Sequence, residues 1–353
     1  MANVSTAFIP LAWAVDILPA LKYMPEWLPG GSFHKTARLW KRVHKAVINI
    51  PYDFVMERVK NGTNKSNYVS RNMEEAAAAA ATKTAQGYKE PPVRAEEVDA
   101  IKASAAAIYA GGSDTTVATL TSFVLAMIKF PHVQREAQRE IDALTGGDRL
   151  PGFADREKLP YVDAIVKEAL RWFPITAMGT AHAVSDDTTV AGYHVPKGAY
   201  LLPATWWLLH DPKVYPDPEA FDPTRFLAPR DEPHPSIATF GFGRRMCPGR
   251  HLADTSLFLT IAQLLATFDV SRALDPNGQP MAEPSVEREP GMIGRPVAFP
   301  YRIVPRSPKH ADLIRRTQLD YPWEEGDASA LPDVKALHEL LAELEPPSSP
   351  VPA

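Results

Sequence analysis

"FGFGRRMCPGRHLA", Phe240 to Ala253, holds the only cysteine of a 353-residue chain. Gly241, Gly243 and Gly249 bracket that cysteine, Arg244, Arg245 and Arg250 crowd it, and an apolar run with helical spacing follows. Gly243 and Gly249 permit backbone angles and close approach that a side chain blocks, so backbone N–H groups can meet a thiolate at Cys247. Pro248 suits the first position of the next helix, whose positive end then faces the sulfur and favours its ionised form. The arginines supply cations for anionic groups of a bound cofactor. A buried structural cysteine is the plain alternative, but it requires neither the glycines nor the arginines.

Composition narrows the field. With 45% hydrophobic residues the chain can fill a sizeable core. One cysteine forms no internal disulfide, and no Cys-x-x-Cys pair or nearby ligand set supports zinc, although His251 lies four residues after Cys247. A net charge of −4 without a long basic stretch gives no reason to expect nucleic-acid binding. "FIPLAWAVDILPALKYMPEWLPG", from Phe8, is interrupted by Pro10, Asp16 and Pro19, and reads as neither signal peptide nor transmembrane helix.

Periodicity predicts a long helix over Ala95–Lys129, another ending near Leu144, a third over Tyr161–Trp172 and a fourth from Pro248 to about Phe268. "TTVAGYHVPKGAYLLPA" reads as a small hairpin and "RPVAFPYRIVP" as a C-terminal strand. Prolines concentrated between Pro203 and Pro248 predict a long irregular segment. The fold class is mainly α with small β-sheets.

Phe240, Gly243, Arg245, Cys247, Gly249 and Ala253 match the pattern Phe-x-x-Gly-x-Arg-x-Cys-x-Gly-x-x-x-Ala, and here the chain resembles the cytochrome P450 superfamily at its haem-binding signature. "GGSDTT" (Gly111–Thr116), "EALR" (Glu168–Arg171) and "PEAFDPTRF" (Pro218–Phe226) follow the family's order, and "GYHVPKG" with "LLHDPKVYPDPEAF" looks like its fungal members. The resemblance covers about Leu11 to Arg306. It implies a cytochrome P450 fold and haem b ligated through iron by Cys247. Arg245, His182, Phe240, Gly241, Gly249 and Ala253 would then lie at the cofactor.

The same resemblance implies that the helix opens at "GGSDTT" beside the iron, with Asp114 and Thr115 delivering protons. From the residues alone, Gly-Gly ending one helix and Asp capping the next is an equal alternative. Glu168 and Arg171 share a helix face, and the family adds Arg225 to form a buried structural lock. Thr224 stands where Glu is usual. The implied partners are an NADPH-dependent flavoprotein reductase, O2 and a hydrophobic small molecule lined by Ala107–Gly111, Ile175–Ala177, Met292 and Ile293. A reductase-independent haem-thiolate isomerase, dehydratase or peroxygenase is one alternative, and an inactive haem-binding remnant is another.

"VDILPALKYMPEWLPGGSFHKTARLW", from Val15, resembles a segment midway through the family fold. That places residues 1–306 as a partial catalytic domain without its N-terminal portion, and implies weak haem retention. Full-length relatives are expected at the cytoplasmic face of the endoplasmic reticulum membrane. Residues 307–353 read as a C-terminal extension in which Leu331, Val334, Leu337, Leu340, Leu341 and Leu344 form an apolar stripe at helical spacing.

Overall fold

Apolar side chains at Leu257, Phe258, Ile261, Ala262 and Leu265 recur every three or four residues and are all buried, so the helix that carries them is held by one face. In the computed structural model, which describes Ala7 and residues 13–28, 30–31, 33–85, 93–324 and 326, that face meets three other helices. The helices are α1 Phe33–Lys60, α2 Tyr68–Ala85, α3 Ala95–Lys129, α4 Pro131–Thr145, α5 Pro160–Trp172, α6 Thr205–His210, α7 Arg250–Thr267 and α8 Pro308–Asp320. Single turns at Ala14–Ile17 and Ser236–Thr239, and several 3₁₀ turns, are also present among the described residues.

The described residues divide into two compact units, with the boundary inside α3 between Gly111 and Gly112. In the unit that includes α1, α2 and the start of α3, the Tyr68 hydroxyl donates to Ser104 Oγ at 2.9 Å, and the Lys102 ammonium lies 4.4 Å from the Tyr52 ring centre. Ile108 and Tyr109 of α3 are exposed.

The other unit, Gly112–Trp323, holds the main core. Phe123, Leu125, Ala126 and Met127 of α3 pack with Val133, Ala137 and Ile141 of α4, Val162, Ile165, Val166 and Ala169 of α5, and the buried face of α7. Burying each large side chain contributes roughly 1.5–3 kcal/mol, so this cluster dominates the unit's stability. Gln134 stitches α4 to the sheet: its amide accepts from Val270 N–H at 2.8 Å and donates to Val270 O at 3.1 Å.

Three antiparallel pairs supply the β-structure. β1 His182–Ala183 pairs with β4 Tyr200–Leu201, β2 Thr188–Val190 with β3 Tyr193–Val195, and β5 Phe268–Arg272 with β6 Tyr301–Pro305. The expected hairpin is β2–β3, turned by Ala191 and Gly192, both at positive φ, the backbone of a tight hairpin turn. The expected C-terminal strand is β6. α8 occupies the start of the extension, with Leu313 buried. The Leu331–Leu344 stripe lies outside the described residues.

Three expectations need correction. α3 runs unbroken through Gly111–Thr116 and does not open there. Two glycines cost a helix roughly 2 kcal/mol, and thirty-three further residues in the same element offset that. α7 begins at Arg250 with Gly249 at its cap, not at Pro248. The segment between Pro203 and Pro248 is less irregular than its prolines suggest, because it contains α6 and three single-turn helices.

Candidate functional site

Phe240 plugs its ring against the main core while its carbonyl accepts the Cys247 N–H at 2.7 Å. That bond closes the loop and presents Cys247 exposed to solvent at the head of α7. Gly243 adopts φ +56°, a left-handed backbone that disfavours side chains, and Gly241 does likewise at +77°. Gly249 differs from expectation. Its φ is −85°, and a Cβ placed there would sit 3.9 Å from the Cys247 sulfur, an ordinary contact. The cysteine's own N–H is spent on Phe240 O.

Arg244 and Arg245 are exposed, as are the apolar side chains of Phe242 and Leu252 on either side of the cysteine in sequence. Ala253 is half-buried in the first turn of α7, its N–H bonded to Gly249 O at 2.9 Å. α7 is braced from below. Arg156 donates to Asp254 on α7 at 2.6 and 3.0 Å and to Asp163 on α5 at 2.7 Å, and these carboxylates hold its guanidinium above its ordinary value.

A buried ion network joins α5 to the segment that follows α6. Arg171 donates to both Glu168 oxygens at 2.7 and 2.8 Å and to the carbonyls of Leu209, Pro218 and Ala220 at 2.9 to 3.0 Å. Arg225 reaches Glu168 at 3.3 Å, Asp217 O at 2.5 Å and Pro216 O. The three expected members of the lock are therefore joined, and all are fully buried. Sequence reasoning missed the fourth. Glu232 accepts from Arg225 at 3.3 Å, and without it two cations would face one anion. Burial pushes the Glu168 carboxyl upward, while Arg171, the Asp222 N–H and Arg225 pull it back. His210 lies beside this network, its Nδ1 2.9 Å from Trp206 O; burial, reinforced by the Arg171 charge, lowers it to about 4.

Asp114 and Thr115 are adjacent and half-buried on α3. The Asp114 carboxylate is gripped by Arg295, a partner that no local spacing signals. Thr115 O accepts the Thr119 hydroxyl at 3.2 Å. Gly294 N–H donates to Ile175 O at 2.7 Å, which ties together two of the segments expected to line substrate, whereas Ala107, Ile108 and Tyr109 of the third are exposed. His182 is exposed on β1, and among the described residues no hydrogen bond or ion pair joins it to the cysteine loop. A surface cleft of about 610 Å³ opens elsewhere, lined by Phe153, Ala154, Arg156, Glu157, Pro160 and Asp163, and contains none of the expected site residues.

The sequence profile described as Cytochrome P450 matches residues 11–292. The chain belongs to the cytochrome P450 family. It is 46% identical over 330 residues to cytochrome P450 monooxygenase CLM2 of Gibberella zeae, covering 93% of this chain and 61% of that protein. It is 44% identical to the multifunctional cytochrome P450 monooxygenase af510 of Aspergillus fumigatus, covering 94% and 60%. A zebra fish cytochrome P450 solved with progesterone superposes with a TM-score of 0.58 at 27% identity, over 74% of this chain and 57% of that one. This P450 chain thus spans about 60% of the length of the curated relatives it matches. No single helix among the described residues is long and apolar enough to cross a membrane.

Family membership implies a haem, and the donor set fits one. An accessible sulfur flanked by exposed apolar side chains and guanidiniums suits a flat, apolar, doubly anionic ligand with a metal at its centre.

Proposed function

We propose that this P450 chain carries the site of a haem-thiolate monooxygenase, inserting one atom of O2 into a hydrophobic small molecule. The observation that carries the reading is the exposed Cys247 sulfur at the head of α7, backed by a completed charge lock. Bound haem would supply the oxygen-activating chemistry, made more electron-rich by the thiolate. Arg245 and His182 would hold its propionates as cations or donors. Thr115 would donate a hydrogen bond from its hydroxyl, and Asp114, oriented by Arg295, would pass on the proton. Met292, Ile293 and Ile175–Ala177 would exclude water around an apolar substrate.

The proposed cofactor is haem b, and the proposed electron donor is an NADPH-dependent flavoprotein reductase docking beside the exposed Arg244. Residues 1–306 are proposed as part of a catalytic domain and 307–353 as an extension. Exposed apolar residues including Tyr200, Leu202 and Trp207 support weak haem retention by this polypeptide.

Expression with haem supplementation, followed by incubation with a flavoprotein reductase and NADPH, tests the reading. Haem bound below one per chain, with Thr115→Ala sending a larger share of electrons to hydrogen peroxide than the parent, is the expected result. Equal partition between product and peroxide in parent and variant would remove Thr115 from proton delivery. Stoichiometric, stable haem with sustained turnover would overturn the weak-retention proposal.

A further inference from the structure

Arg288 is half-buried and stands apart from the buried arginines. Arg171 and Arg225 spend their guanidiniums on carboxylates and carbonyls, and Arg295, seven residues further on, grips Asp114. Arg288 has no such arrangement. Its Nη1 is shielded from solvent and has no hydrogen-bond partner, and burial alone lowers the group to about 10, with no neighbouring anion to hold it up. A solvent-shielded N–H without an acceptor is costly, and an ion or ligand group that reaches it is one way to complete it.

The surroundings keep the guanidinium in place. Its central carbon lies over the Phe173 ring, 4.0 Å from the ring centre, immediately after α5. The side chain crosses Gly294, where a Cβ would overlap Nη1 itself and come within 2.8 Å of Cδ and 2.9 Å of Cγ, so Nη1 is packed against this glycine and no larger residue fits beneath it. The backbone is pinned as well: Val297 N–H donates to Glu287 O at 3.0 Å and Glu289 N–H to Arg295 O at 2.8 Å. Gly294 N–H in turn bonds Ile175 O. The unsatisfied donor therefore sits at the junction of the two segments proposed to line the substrate, Ile175–Ala177 and Met292–Ile293.

We propose that Arg288 is a carboxylate receptor for the molecules this site binds. A guanidinium offers paired N–H donors that match a carboxylate's two oxygens, and its contact with Phe173 restrains where it sits. Two molecules carry that chemistry: haem, through a propionate, and an acidic apolar substrate. The inference deepens the proposed function and rests on it for the identity of the site.

Two matched probe pairs test it on the full chain and on Arg288→Gln and Arg288→Lys, with circular dichroism confirming that each variant folds. Decanoate is compared with decanol by tryptophan fluorescence, and haemin with its dimethyl ester by cofactor bound per polypeptide. The parent should prefer the acid in at least one pair, and Arg288→Gln should weaken that acid by about tenfold or more while leaving its neutral partner unchanged, as expected for a lost charged hydrogen bond. Arg288→Lys should fall between. Loss confined to haemin assigns the propionate, and loss confined to decanoate assigns an acidic substrate. No acid preference in the parent for either pair, or equal weakening of acid and neutral probes in Arg288→Gln, would overturn the proposal. The decanoate pair needs no haem, so failure of the haem-thiolate reading would leave that arm readable.

Discussion

The lock and the cysteine loop lie on the same unit and are physical opposites. At the lock, Glu168, Arg171 and Arg225 are fully buried, and their charges are met by Glu232, one another and backbone carbonyls. At the loop, Cys247, Arg244 and Arg245 are exposed, and the backbone is held by short-range turn bonds and by the Cys247 N–H to Phe240 O. The lock meets its charges from within the unit, whereas the loop turns its thiol and guanidiniums to solvent. The contrast predicts that damage to the lock costs stability and damage to the loop costs ligand.

The largest effect should come from Glu168→Ala, which takes from buried Arg171 its carboxylate partner and from Arg225 one of two. It should destabilise the chain by about 3–5 kcal/mol, read as a lower midpoint in urea. A loss under about 1 kcal/mol would show that the network is not the scaffold's anchor.

His210 adds a pH dependence to the lock side. Its folded value of about 4 lies below the ordinary 6.5, so the unfolded chain binds more protons between those values and stability rises with pH across that window. The rise should be on the order of 2–3 kcal/mol from this group, and His210→Phe should flatten it. A slope between pH 4 and 6.5 that is identical in the variant would contradict the assignment.

Gly243→Ala should cost about 1–2 kcal/mol through its left-handed backbone, with open space around the new methyl. Cys247→Ala should be the mildest, within about 0.5 kcal/mol, because the side chain is exposed. If thermal scans ranked the loop variants above Glu168→Ala, the division of labour proposed here would be reversed.

How much of this was legible from sequence follows from range. Local patterns were readable: Ala95–Lys129 was predicted with its observed bounds, the turn after Val190 carried its glycine, and Glu168 with Arg171 announced their shared face. Partners fixed only by tertiary folding were not. Nothing near Asp114 points to Arg295, and nothing near Arg225 marks Glu232 as the balancing charge, since both pairings depend on where loops return in space. At "GGSDTT" the opening implied by the family resemblance, and the break that the glycines allow, are both absent, because the long hydrogen-bonded ladder on both sides outweighs local propensity. Likewise Pro248 marked the approach to α7 correctly, but the helix begins two residues later, where Gly249 caps it.

The central claim, that Cys247 presents a thiolate to haem iron, is tested most directly by the visible spectrum of the dithionite-reduced, carbon-monoxide-saturated protein after haem supplementation. The parent should show the red-shifted Soret band of a thiolate-ligated carbonyl haem, and Cys247→Ala should lose it while keeping its helical circular dichroism. A variant spectrum unchanged from the parent's, or a parent that binds haem without that band, would contradict the account.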